Sequence, residues 1–173
     1  MTRVNLLKGM GGGFVGTIVL SAIMVMKSAM GLMPQFDMIG MLASMLGGSR
    51  SVAWVVHFLI GTVLWGGLFA WLDPHLPSRS HWLKGTLFGI GAWVVMMVVL
   101  MPMAGAGLFA VKLGMMVTMA TLILHAVYGA VMGGVYGAQH PESGELIEAG
   151  AAARDLRGRS RAEQDVEGLG PAS

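Results

Sequence analysis

Four long apolar runs dominate the hydrophobic pattern of the chain, at about residues 9–30, 52–72, 84–104 and 114–138. Each has the roughly 20 mostly apolar residues that a helix needs to cross the hydrocarbon core of a bilayer, so the pattern predicts four transmembrane helices. The first run has a basic flank, Arg3 and Lys8, but it is long and no small-residue cleavage site with a polar start follows it, so it reads as a retained span. The connection from Asp73 to His81 holds Pro74 and Pro77 and predicts a short polar turn, with His75 and His81 expected to be solvated. In the first connection Met38, Met41 and Met45 recur with Leu42 and Leu46 at helical spacing until Gly47, Gly48 and Ser49 stop the run, which predicts a short amphipathic helix in the membrane interface. Residues 139–173 mix Pro, Gly, Glu, Ala and Arg without an apolar stripe, and read as a flexible tail, partly helical at most around 145–155.

Composition narrows the class. Of 173 residues, 55% are hydrophobic and 12% charged, where a soluble domain carries about 25% charged residues. The absence of cysteine excludes disulfides, thiolate metal sites and a cysteine nucleophile. Charge is uneven: residues 1–138 hold seven Lys/Arg against Asp37 and Asp73, a net of +5, whereas 139–173 hold four Arg against seven acids, a net of −3. The tail arginines alternate with other residues, so no basic run suits nucleic acid. Basic residues near span ends favour the cytoplasm. Eight of them (Arg3, Lys8, Arg79, Lys84 and the four tail arginines) fall on one side against Lys27, Arg50 and Lys112 on the other, which predicts both termini inside a bacterial inner membrane.

Sliding the chain by 68 residues superimposes His57, Gly61, Val63, Gly66 and Ala70 on His125, Gly129, Val131, Gly134 and Ala138, five identities in 14 positions. A shift of 76 aligns Leu7-Lys8-Gly9 and Gly13 with Leu83-Lys84-Gly85 and Gly89. The expected fold is therefore an all-α membrane protein whose four helices form two parallel repeated helical hairpins, unlike the inverted repeats of many transporters. Domain 1–138 would hold the helices and 139–173 the cytoplasmic tail. The segments Met38-Ile-Gly-Met41, Trp54-Val-Val-His57-Phe, Gly61-Thr-Val-Leu-Trp65-Gly-Gly, Leu72-Asp73-Pro74-His75-Leu76-Pro77 and Met101-Pro-Met-Ala-Gly-Ala-Gly107 resemble a family of small four-helix bacterial inner-membrane proteins known only as a domain of unknown function. The resemblance spans about residues 5–138 and implies a four-helix membrane protein with no catalytic residues.

Ionisable groups inside the hydrocarbon are expensive and point to function, and within the expected spans these are His57 and His125. The shift of 68 sets them at similar depth in the outer half. Two readings follow: interhelical hydrogen bonds to carbonyls or hydroxyls, or bis-imidazole ligation of haem b, with Gly61 and Gly129 leaving room for the macrocycle. Gly129, Gly133 and Gly137, with Gly66 and Ala70, form four-residue-spaced stripes suited to close helix packing, and close packing leaves no gap for a porphyrin. Fourteen of 17 methionines fall in the outer half. Thioethers and imidazoles suit Cu(I), so Met101, Met103, Met115 and Met119 form a copper alternative, against the plainer reading of methionine as adaptable apolar filler. No phosphate loop, nucleophile triad, carboxylate pair or zinc spacing is present in the sequence. The expected protein is not an enzyme and needs no cofactor. It is a non-catalytic component of a larger membrane assembly, in contact with the lipid bilayer and with other membrane subunits or copies of itself. A small haem or copper redox protein and a small oligomeric transporter or channel are the alternatives.

Overall fold

A computed structural model describes residues 3–77, 80–139 and 152–157. The chain divides into two compact units, Met1–Gln139 and His140–Ser173. In the second unit residues 152–157 are helical; the rest of the expected flexible tail lies outside the described residues.

The first unit is helical, and no strand occurs among the described residues. Its elements are α1 (Arg3–Ala29), α2 (Met38–Leu46), α3 (Arg50–His75), α4 (His81–Met103) and α5 (Met115–Ala138). All but α2 are long and apolar enough to cross a membrane, as expected of a multi-pass membrane protein. Large apolar side chains such as Leu7, Val25, Leu59, Val98 and Ile123 face outward along them, where water would be a costly neighbour and lipid is not. The helices run beyond the apolar stretches at the end that carries Lys8. There α3 continues through Asp73-Pro74 as a 3₁₀ turn, since a proline in the first turn removes no needed N–H.

Helix α2 is closed at both ends by its own sequence. Asp37 accepts from the Gly40 N–H at 3.0 Å, and Gly47 takes the left-handed conformation that ends the helix. Its buried residues are Ile39, Leu42 and Ala43, which pack with Ala53 of α3, while Met45 and Leu46 are exposed. The helix is where the methionine spacing placed it, and Met38 and Met41 pack against the buried cluster of Met96, Met97 and Met101.

The long helices form an up-down ring: α1 packs on α3 and α5, α4 packs on α5, and Trp65 and Phe69 of α3 meet Phe88 of α4 edge-on. Backbone contact at glycine fixes the pairs. Gly85 and Gly89 of α4 lie against Gly129, Gly133 and the His125 carbonyl of α5; a Cβ built on Gly85 would come within 2.8 Å of the Gly133 Cα. In α1 and α3 the same role falls to Gly9 and Gly13 against Gly61, Gly66 and Ala70. Gly12 and Gly16 of α1 meet Met132 and Tyr128 of α5. Gly137 lies against the His81 side chain. The glycine stripes read from the sequence are therefore helix contacts, as van der Waals packing between helices in lipid favours.

At the Lys8 end the helices are tied by polar groups. Lys84, 9% exposed, donates to the Asp73 carbonyl at 2.7 Å and lies 3.4 Å from the Asp73 carboxylate. The same carboxylate is 2.9 Å from Nδ1 of His81, whose ring stands edge-on to Tyr136. This corrects the reading of His81 as a solvated loop residue: it is half-buried in an ion cluster, because a carboxylate 7% exposed needs partners. Lys8 donates to the Gln139 carbonyl at 2.6 Å, so a cation sits where the C-terminal carbonyls of α5 concentrate negative charge.

Two outcomes test this packing. Gly129→Leu should destabilise the solubilised protein by about 3 kcal/mol, since the neighbour is backbone that cannot yield, whereas Gly134→Leu, with open space around it, should leave the thermal midpoint nearly unchanged. Asp73→Asn should cost about 3–5 kcal/mol by stranding the Lys84 ammonium; Asp73→Asn combined with Lys84→Met should recover most of that loss. Thermal unfolding in one detergent measures both series.

Candidate functional site

Two of the spanning helices carry a π-helical turn, at Ile60–Trp65 in α3 and Met96–Leu100 in α4. The second lies just before Pro102, which lacks an N–H and whose ring crowds the preceding turn. The turn in α3 has no proline; it falls where Gly61 is pressed against the Thr17 side chain of α1. Such widened turns occur often at functional sites. Here Ile60, Gly61, Leu64 and Trp65 on one side, and Met96 and Leu100 on the other, border a cavity of about 270 Å³ inside the bundle.

The cavity is mostly apolar and both candidate histidines line it, together with Thr17, Thr121 and Tyr128. His125 Nδ1 is 2.8 Å from the Thr121 carbonyl. A carbonyl only accepts, so Nδ1 carries the proton and, in the neutral ring, Nε2 keeps its lone pair. His57 stands edge-on to Trp54 and Phe58, and its buried Nε2 has no hydrogen-bond partner. The interhelical hydrogen bonds expected of this pair are not made: His125 bonds to the carbonyl one turn back in its own helix, and the buried Nε2 of His57 is unbonded.

The contacts also set the hairpins in a register different from the shift of 68. Gly13 lies against the Gly61 carbonyl and Gly66, while Gly89 lies against the His125 carbonyl and Gly129. His125 thus corresponds to Gly61, and His57 falls one turn away from His125's place instead of overlaying it. The step is five residues from Gly61 to Gly66 and four from His125 to Gly129, because the π turn adds one. Gly129 faces Gly85 and not the cavity, so it makes no room for a ring there.

The three hydroxyls of the wall are engaged. Thr17 donates to the Gly13 carbonyl at 2.7 Å, Thr121 to Val117 at 2.8 Å, and Tyr128 to the Gly61 carbonyl at 2.6 Å. Trp93 Nε1 donates to the Thr121 hydroxyl at 3.2 Å. The Tyr128 bond crosses from α5 to α3 and gives the Gly61 carbonyl, inside the π turn, a partner. Neither Tyr128 nor Thr17 is conspicuous in the sequence, although Tyr128 follows His125 by three residues and so shares its face.

Towards the α2 end the cavity adjoins a wider vestibule of about 590 Å³, and Met24, Phe36, Met38 and Leu124 belong to the walls of both. Lys27 at its rim donates to the Phe36 carbonyl and sits over the Phe36 ring. Arg50 pairs with Asp37, and this bond holds the Asp37 carboxyl below the usual carboxylate range. Of the methionines in the copper alternative, Met101 is buried beside Met96 and Met97, whereas Met103, Met115 and Met119 are exposed. Gly66 and Gly133 are packing residues, away from the cavity wall.

No curated protein and no solved structure matches the chain. The profile described as "Family of unknown function (DUF6789)" matches residues 3–146. A family of unknown function is what the sequence segments resembled, and by that match the chain belongs to DUF6789.

Proposed function

We propose that the protein is a non-catalytic component of the bacterial inner membrane, with both termini cytoplasmic, that holds a small apolar ligand between its helices and serves other membrane subunits or copies of itself as an accessory or assembly component. The observation that carries the reading is the cavity itself. An apolar space with a few convergent polar groups is the usual form of a ligand site, and here two imidazoles line a space that the glycine contacts leave open. The accessory role rests on where the polar groups lie. Among the described residues, buried polar side chains line the cavity at Thr17 and Thr121 and form the Asp73 cluster, which ties helices together, while Ser21 and Thr118 lie outside both.

The orientation rests on the eight basic residues against three. The duplication gains support from the contacts: Lys8 and Lys84, aligned by the shift of 76, each donate to a carbonyl at the far end of a helix in the other hairpin, Gln139 of α5 and Asp73 of α3. We read the two hairpins as parallel copies of one ancestor. The haem b alternative would show as a Soret band lost in both His57→Ala and His125→Ala; a cavity of about 270 Å³ and the offset between the two histidines do not favour it.

Extraction of the protein purified from its own membranes, followed by mass spectrometry, should recover one apolar compound from wild type and little from Leu124→Trp, whose indole would occupy part of the cavity. No bound compound in wild type overturns the ligand reading. Reporter fusions after Gly48 and after Ser173 should lie in opposite compartments; agreement between them overturns the topology.

A further inference from the structure

Resting on the reading of the cavity as a binding site, the geometry points to an alcohol or phenol as its occupant, with the hydroxyl donating to Nε2 of His125. The argument is an inventory of hydrogens. The three hydroxyls on the wall, those of Thr17, Thr121 and Tyr128, give theirs to backbone carbonyls at 2.7, 2.8 and 2.6 Å. His125 gives its Nδ1 proton to the Thr121 carbonyl at 2.8 Å. What the neutral His125 ring turns to a ligand is therefore a lone pair, and only a donor satisfies it.

The donors left among the lining residues are the single N–H of a neutral His57 and the indole of Trp65. A hydroxyl suits this wall because it donates and accepts at once: its hydrogen goes to His125, and its oxygen is open to an N–H. An ether or a ketone only accepts, so it would leave Nε2 of His125 facing apolar surface without a partner, at the desolvation cost of an unmet polar group. The rest of the occupant is apolar and small. About 270 Å³ lies just below the range of drug-sized pockets, and aromatic and aliphatic groups, Trp65 and Leu64 among them, form the walls. At the α2 end Met24, Phe36, Met38 and Leu124 form the boundary that the cavity shares with the vestibule.

The test compares two probes of one shape on the full chain in lipid nanodiscs: 1-naphthol, and 1-methoxynaphthalene, in which the donor hydrogen is replaced by methyl. Saturable binding is read from quenching of tryptophan fluorescence, with empty nanodiscs as the baseline for partition into lipid. Wild type should bind naphthol about tenfold more tightly than the ether, the equivalent of about 1.4 kcal/mol, and His125→Leu should bring the two within about twofold. Equal affinities in wild type overturn the hydroxyl rule while leaving the cavity as a ligand site. A preference for naphthol that survives in His125→Leu overturns the assignment to His125. No saturable binding of either probe overturns both this inference and the ligand reading beneath it. Should His125→Leu fail to fold, the comparison of the two probes in wild type decides alone, since it needs no substitution.

Discussion

Helices in lipid gain nothing from hiding apolar side chains from one another, because lipid tails are equally apolar; close contact of backbones is what holds them. In this protein that contact is made at glycine, Gly85 and Gly89 against Gly129 in one hairpin and Gly9 and Gly13 against Gly66 in the other. Everything else is arranged around those two tight pairs. With α1 also pressed to α5 through Gly12 and Gly16, three of the four helix pairs around the ring are close. The fourth, α3 with α4, is bridged by aromatic rings instead. A ring of helices with one wide side leaves space in its middle, and that space is the cavity.

The second constraint is the treatment of polar groups that cannot reach water. At the Lys8 end a carboxylate, an ammonium and an imidazole satisfy one another, and the cluster joins the end of α3 to the start of α4. Removing any member leaves the others stranded, which makes the cluster a lock more than a source of net stability. In the cavity the arrangement is different: hydroxyls and one imidazole N–H are spent on carbonyls of the helices themselves, and Nε2 of His57 is spent on nothing. The contrast separates structural polarity from polarity that is left over.

The four spans, the short helix α2 and the packing role of Gly129, Gly133 and Gly137 were all legible in the sequence, because length, apolarity and four-residue spacing translate directly into helices and their contact faces. The ion cluster was not. Asp73 and His81 flank two prolines and read as a solvated turn, and nothing in one dimension says that α3 and α4 extend far enough to bury them. Nor was the histidine geometry legible. The repeat aligned His57 with His125, but the helix contacts put Gly61 in the place of His125, a slip of four residues, or one helical turn, that small residues at four-residue spacing leave open in the letters; the π turn of α3 adds one further residue by Gly66 and Gly129.

That insertion is one of two, and their placement is informative. Each hairpin has one π turn, but α3 carries it in the first and α4 in the second, while α1 and α5 are regular α-helices throughout. The two widened turns therefore belong to the pair of helices that is bridged by rings and not by glycine, and both border the cavity. Close packing needs matched, regular helices, and a π turn disturbs the ladder locally while freeing a carbonyl, as at Gly61, to be claimed by Tyr128 from across the bundle. The departure from regularity and the opening of the cavity are thus one structural event. The histidines both line the cavity that the two widened turns border, where the bundle gives up close backbone contact.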